Sequence, residues 1–333
     1  MKNQQWKLKA RPTAMVSREN FEFVEAAAPS INDGEALVEV QYVSLDPAMR
    51  GWLNEGKSYV PPVGIGEVMR AIGVGKVVEA PKNDPALKVG DFVVGMTGIQ
   101  LLSSAPAKAW TKIDPSLMAL PRWLGILGMP GMTAYFGLLD IGGPIKAGET
   151  LVVSAASGAV GAVVGQIGKI HGMRVVGIAG GGDKCRYIVD ELGFDAAIDY
   201  KHDDVRAKMR EACPQGIDVY FDNVGGEILD LALANLRKKA RVVICGAISQ
   251  YNSPSFVGPK NYMSLLVNRA RMEGFVVFDY APRYAEAVMA IAKWHKEGKL
   301  KAREDIVEGI AQFPEALQKL FRGENFGKLV LKL

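Results

Sequence analysis

The chain has 333 residues and a net charge of +4, a length that suits about two domains of ~150 residues, each with its own core. The basic clusters Arg237-Lys238-Lys239-Arg241 and Lys296-Lys299-Lys301 are short and read as solvated surface, which argues against nucleic acid as a partner. No run of ~18 apolar residues predicts a membrane span, and three scattered cysteines with no C-x-x-C pair predict a reducing, cytoplasmic setting.

The N-terminus is polar and lacks the apolar segment of a signal peptide. Residues 1 to about 122 read as short strands and turns. Ala36 to Leu45 alternates partly and predicts a strand, ended at Asp46-Pro47 because the proline ring blocks regular pairing. Ala71 to Glu79 reads as a strand in which Gly73 and Gly75 predict a bend or bulge. Lys88 to Gly95 gives a turn and another strand. The close spacing of turn signals points to a small barrel-like β domain, with no helix-period segment before Leu120.

The composition shifts near Pro121, and Gly128 to Leu139 reads as a loop entering a helix with Pro130 near its start. Leu151-Val152-Val153 has the continuous apolar character of a buried parallel strand. Ala156-Ser157-Gly158-Ala159-Val160-Gly161 fits G-x-G-x-x-G with alanine in the first glycine place. A helix follows to about His171, and a second strand runs over Arg174–Ile178. That strand–turn–helix–strand unit of roughly thirty residues is the context a dinucleotide fingerprint requires. Further strands are predicted at Ala196–Ile198, Asp218–Phe221, Arg241–Cys245 and Arg271–Val277. Helices are predicted at Lys184–Leu192, Val205–Ala212, Glu227–Leu236, Tyr262–Asn268 and Tyr284–Lys296. Six strands make a full dinucleotide-binding sheet, so the expected class is α/β, a Rossmann doubly wound parallel sheet beside a β-barrel domain. The tail from Ile306, with short strands and one helix, most simply rejoins the first domain. The expected domains are 1–122 with 299–333, and 123–298.

Gly158 allows the backbone to approach a pyrophosphate, Gly161 allows the helix to lie close to the strand, and the helix N-terminus offers N–H groups to phosphate. An NAD site usually carries an acid about twenty residues beyond the glycines. Here Ile178-Ala179 is followed by Gly180-Gly181-Gly182, and Lys184 lies in the first turn of the next helix, where it opposes the dipole unless an anion is near. This pattern favours NADP(H). Asp183 is expected as the helix N-cap. Three scattered cysteines and three scattered histidines predict no metal site, and with no G-x-S-x-G they argue against a Ser–His–Asp hydrolase. Ligands of open α/β sheets sit at the carboxyl ends of strands. Asn223 with Gly225-Gly226 ends the fourth strand; Cys245, Gly246, Ala247 and Ile248, running to Tyr251, end the fifth. A tyrosine hydroxyl there suits donation to a carbonyl oxygen that is gaining charge, or simple packing on a cofactor. Tyr262 reads as a core or interface aromatic. Tyr42, Tyr59 and Asp46 carry no assigned role.

The strings DPAMRGWL from Asp46, GMPGMTAYFGLLDIG from Gly128, AASGAVGAVVGQIGK from Ala155, GFDAAIDYK from Gly193, YFDNVGGEILD from Tyr220, CGAISQYN from Cys245, RMEGFVVFDY from Arg271 and ENFGKLVLKL from Glu324 carry a resemblance along nearly the whole chain. It resembles the zinc-free, double-bond reductase branch of the medium-chain dehydrogenase/reductase superfamily, and the bacterial curcumin-reductase type most of all. The resemblance implies a GroES-like β domain that includes the C-terminal tail. It implies NADPH-dependent reduction of the C=C bond of α,β-unsaturated ketones and aldehydes, with hydride to the β-carbon and protonation of the enolate at the α-carbon. It implies that Lys184 and Tyr200 bind the 2′-phosphate, and that Tyr251 lies beside the nicotinamide as a candidate acid. It further implies that Asn325 reaches the cofactor, that Phe275, Val276 and Phe278 contribute backbone near it, and that the protein is a homodimer with Arg271–Phe278 at the interface. The mammalian prostaglandin reductases carry a further tyrosine for which Val267 or Tyr262 is the counterpart here, a departure that sets prostaglandin-like specificity apart. A quinone reductase of the zeta-crystallin type and a non-catalytic NADP-binding sensor stand as alternatives.

Overall fold

The structure, a computed structural model, describes residues 2–82 and 85–333. Contacts divide the chain into two units, Met1–Gly125 with Glu304–Leu333, and Ile126–Arg303. The first unit opens with strands β1 (Lys2–Leu8), β2 (Phe21–Ala27) and β3 (Glu35–Ser44), helix α1 (Ala48–Trp52), and strands β4 (Ile72–Glu79), β5 (Phe92–Met96), β6 (Leu102–Pro106) and β7 (Thr111–Ile113). The second unit starts with α2 (Met129–Phe136) and alternates β8 (Thr150–Ser154), α3 (Gly161–Ile170), β9 (Arg174–Ala179), α4 (Gly182–Arg186), β10 (Ala196–Asp199), α5 (Val205–Ala212), β11 (Ile217–Asp222), α6 (Gly226–Leu233), β12 (Leu236–Ile244), α7 (Met263–Asn268), β13 (Arg271–Gly274) and α8 (Tyr284–Lys296). The chain then returns to the first unit with β14 (Glu304–Glu308), α9 (Phe313–Phe321) and β15 (Lys328–Lys332).

In the first unit one sheet runs β14-β15-β3-β4-β5-β7, with β6 also on β3, and a two-stranded sheet pairs β1 with β2. The tail is bound at both ends. β15 pairs antiparallel with β3, and the buried Trp6 indole donates to Ile310 O at 2.7 Å. The irregularity expected from Gly73 and Gly75 lies in the partner strand, where the register slips between Val40 and Tyr42. A Cβ on Gly75 would stand 2.2 Å from Glu39 O, so glycine there answers the close approach of the bulged strand. Helix α1 was not expected from periodicity. It is short, and it is held by the buried Arg50, whose guanidinium donates to Pro12 O and Ala14 O.

The second unit is a six-stranded sheet of order β10-β9-β8-β11-β12-β13, parallel throughout. Every residue of β8 and β11 is buried, as expected of strands covered on both faces. Helix α3 lies close to this sheet because one of its faces is glycine. A Cβ on Gly165 would stand 1.8 Å from the Phe194 ring, and one on Gly168 would stand 2.6 Å from Leu151 Cδ2. Several expected boundaries shift. α6 ends at Leu233, and β12 begins at Leu236 rather than Arg241. β13 stops at Gly274 instead of Val277, and a 3-10 turn takes Val277–Arg283. The helix expected over Lys184–Leu192 is α4 followed by a π turn at Tyr187–Glu191. Among the described residues no helix is long and apolar enough to cross a membrane.

Candidate functional site

The strand order reverses between β8 and β11, so the carboxyl ends of these strands form the topological switch point where open α/β sheets bind ligands. The turn leaving β8 holds Ala155 at φ +50°, and the Ala156 amide donates to Ile178 O at 3.0 Å, tying the turn to β9. A Cβ on Gly161 would stand 2.4 Å from Ala155 O; one on Gly158 would stand 3.2 Å from the same atom. The fingerprint glycines thus answer a backbone crossing. Val160 occupies the N-cap of α3, and no side chain caps the helix. The amides of Ala162 and Val163 donate to Gly158 O and Val160 O, each at 3.0 Å, so this helix end offers a phosphate its positive dipole end and the backbone of the turn Gly158-Ala159-Val160-Gly161.

Next to it, β9 ends at Ala179 with the glycine stretch in place of an acid. Gly181, at φ +98°, is the N-cap of α4. Asp183 is therefore not the cap. It lies inside the first turn, and its carboxylate pairs with Arg186 three residues on, a local ion pair that competes with capping. Lys184 lies in that turn, with its amide on Gly181 O at 3.1 Å. Tyr200 follows β10, its amide donates to Ala179 O at 3.1 Å, and a Cβ on Gly180 would stand 2.7 Å from its ring. Lys184 and Tyr200 are thus attached to one three-glycine segment.

At the ends of β11 and β12 the chain builds a second cluster. Asn223 donates from its amide to Ser154 Oγ and from Nδ2 to Ser154 O, both at 2.8 Å. The buried Asp222 carboxylate accepts from the amides of Val224 and Gly225 at 3.0 Å, from the Tyr220 hydroxyl at 3.0 Å and from Ser154 Oγ at 3.1 Å. Burial raises its pKa, and these donors offset only part of that rise. The amides of Cys245 and Gly246 donate to Asp222 O at 2.9 and 3.1 Å, and that of Ile248 to Asn223 O at 3.3 Å. The Ala247 amide donates to the Tyr251 hydroxyl at 3.2 Å. Asn223, Cys245, Gly246, Ala247, Ile248 and Tyr251 are therefore brought together. Ser154 and Asp222, which sequence reasoning did not single out, hold the cluster; the signal for them is a polar residue closing each buried apolar run.

Phe275, Val276 and Phe278 follow β13, and a Cβ on Gly137 would meet the Phe275 ring at 2.6 Å. Asn325 lies in the first unit, where Nδ2 donates to Gly327 O at 3.0 Å. Asp46, in the same unit, pairs with the buried Lys328 at 2.7 Å. Tyr262 is not a core residue: it caps α7 and is 58% exposed. His171 and His295 each bond a nearby carbonyl, and His202 bonds Asp199. Among the described residues no group of three or more His, Cys, Asp or Glu is gathered as a metal site.

A parallel sheet of this order, with a glycine turn and an uncapped helix at its switch point, defines a dinucleotide-binding fold. Residues 4–113 match the model of an N-terminal domain of oxidoreductase, and residues 159–293 match that of a zinc-binding dehydrogenase. The chain is 47% identical to an NADP-dependent oxidoreductase of Bacillus subtilis (strain 168), over 99% of this chain and 97% of that protein. It is 42% identical to the NADPH-dependent curcumin reductase of Escherichia coli (strain K12), over 100% and 97%. The crystal structure of CurA from Vibrio vulnificus in complex with NADPH matches with a TM-score of 0.93 at 42% identity, over 99% of this chain and 98% of that one. The chain belongs to the double-bond reductase branch of the medium-chain dehydrogenase/reductase superfamily.

Proposed function

We propose that this chain is an NADPH-dependent reductase of the C=C bond of α,β-unsaturated ketones and aldehydes, acting as a cytoplasmic homodimer. The observation that carries the reading is the full-length 42% identity to an NADPH-dependent curcumin reductase, whose substrate is a conjugated enone. The residues present fit the cofactor. The close Gly161–Ala155 approach leaves no room for a side chain between the turn and the uncapped end of α3, and the acid-free glycine stretch beside Lys184 and Tyr200 suits a 2′-phosphate.

Lys184 neutralises that phosphate, and Tyr200 donates its hydroxyl to it. Gly158, Ala159, Val160 and Gly161 present backbone to the pyrophosphate. Asn223, the Cys245–Ile248 turn, Phe275, Val276 and Phe278 orient the nicotinamide end. When bound, NADPH supplies the hydride that adds to the β-carbon of the enone. Tyr251 donates a hydrogen bond to the carbonyl oxygen as it gains charge, which stabilises the enolate before its α-carbon is protonated. The exposed residues of β13, the edge strand of its sheet among the described residues, support pairing with a second copy through Arg271–Phe278.

The test is oxidation of NADPH against a linear alkenone, a linear alkenal, curcumin and a benzoquinone, with NADH in parallel. Rapid turnover of the enones with NADPH, yielding saturated ketone, is expected. Turnover of the quinone alone would make the chain a quinone reductase, and bound NADPH that no acceptor oxidises would make it a sensor.

A further inference from the structure

We propose that Asp199 is a positioning residue for NADP selectivity, fixing the Gly180–Gly182 loop so that Lys184 and Tyr200 meet the 2′-phosphate together. The proposal rests on the reading of those two residues as phosphate ligands. Asp199 is the last residue of β10, and its side chain is 13% exposed. Its Oδ1 accepts the Gly181 amide at 2.8 Å and the Lys201 amide at 3.0 Å. Its Oδ2 bonds His202 Nδ1 at 2.8 Å. Its own amide donates to Asp203 Oδ2 at 2.8 Å. Gly181 O in turn accepts the amides of Lys184 and Cys185, each at 3.1 Å. The carboxylate thus reaches the first turn of α4, and Lys184 with it, through the single residue Gly181. On its other side Asp199 adjoins Tyr200, whose ring lies against Gly180.

Three consecutive glycines have a large conformational freedom to lose, and two ligands, one in the first turn of α4 and one just after β10, are useful only at a fixed separation. Asp199 supplies the constraint. Burial pushes its carboxyl up, but His202 and the Gly181 and Lys201 amides outweigh it, and the group is held below its ordinary value. Both oxygens are engaged by protein donors, so the carboxylate is held in one orientation against the loop. NAD sites place an acid at the end of the second strand to grip the ribose; here the acid ends the third strand in sequence and grips the loop.

The experiment measures dissociation constants of NADPH and NADH by fluorescence titration of the full chain, with kcat on an enone at saturating NADPH, for D199A, D199N and K184A. D199A is expected to lower the NADPH-over-NADH preference about tenfold, the value of one hydrogen bond to a charged group, with NADH affinity and kcat unchanged. D199N keeps an acceptor oxygen for the Gly181 amide and is expected to retain most of the preference. Equal weakening of both cofactors would overturn the proposal, as would tighter NADPH in either variant, which would make Asp199 a repelling charge. If D199A does not fold, Asp199→Glu carries the test: the displaced carboxylate must still lower the preference, and an unchanged ratio overturns the proposal. K184A separates the two levels. An unchanged ratio in K184A removes the 2′-phosphate reading itself, whereas a collapsed ratio in K184A with a wild-type ratio in D199A removes only the role of Asp199.

Discussion

Replacing Gly161 by alanine tests the physical basis of the cofactor site. The new Cβ would stand 2.4 Å from Ala155 O, so the helix start and the carbonyl must separate by about 0.6 Å to reach even the 3.0 Å limit of real Cβ contacts. Neither partner is a flexible side-chain tip: Ala155 is pinned at φ +50° beside an amide bonded to β9, and Gly165 and Gly168 hold α3 against Phe194 and Leu151. The strain therefore displaces the N-terminus of α3. The displaced helix end is expected to weaken binding about tenfold, or ~1.4 kcal/mol. The pyrophosphate is common to both nicotinamide cofactors, so NADPH and NADH should weaken equally. Fluorescence titration of each cofactor, with a thermal melt to establish that the variant is folded, reads the effect. Unchanged affinity for both, or a loss confined to NADPH, would refute the assignment of this helix end to the pyrophosphate.

Tyr251→Phe keeps the ring and loses the hydroxyl that accepts the Ala247 amide; turnover should fall about tenfold or more with NADPH affinity nearly unchanged, and wild-type turnover would remove the hydroxyl from the chemistry. Burial pushes the thiols of Cys185 and Cys213 up to about 11 and that of Cys245 up to about 12, so at neutral pH all three stay protonated and poorly nucleophilic. Incubation with an enone and no reductant should leave them unmodified by mass spectrometry; a rapid adduct at Cys245 would contradict this. Glu149 receives two hydrogen bonds from Arg241, at 2.8 and 2.7 Å, which hold its carboxyl below the ordinary value. Because the folded-state value is depressed, this stabilisation is present above pH ~4.5 and is lost as the pH falls through the lowered value. Glu149→Gln should cost about 2 kcal/mol at neutral pH, the scale of a hydrogen bond to a charged group, and flatten the acid limb of the melting curve; an acid limb as steep as wild type would show that other carboxylates set it.

The parts of this chain legible in the sequence are those dictated by local chemistry. The strand–turn–helix–strand unit at Leu151–Ile178 reads from an apolar run, two glycines and an apolar periodicity, and each of those causes operates within a few residues. α5 and α8 occupy the expected spans for the same reason. The parts that were not legible depend on contacts made far along the chain. Asp183 has the composition and place of an N-cap, but Gly181 takes that place because the Asp199 carboxylate, 18 residues away, binds the Gly181 amide and turns the loop. The cluster around Tyr251 reads as two glycine-rich strand ends. What joins them is the buried Asp222, which holds Ser154 of β8 through its side chain and the β12 turn through its carbonyl, a tertiary fact that periodicity does not record. The early end of β13 follows from its position as an edge strand, since a sheet neighbour on one side alone supports a shorter run. Sequence reasoning therefore singles out the proposed ligand-facing residues, whose types follow from the ligand's chemistry. It overlooks the carboxylates behind them, whose type is set by amides that only the fold brings near. Asp199 and Asp222 are two such residues, one behind the proposed phosphate end and one behind the proposed nicotinamide end. If both act as argued, Asp199→Asn should leave turnover intact while Asp222→Asn alters it without changing the NADPH-over-NADH preference, and paired kinetics of the two variants would reveal any exchange of these roles.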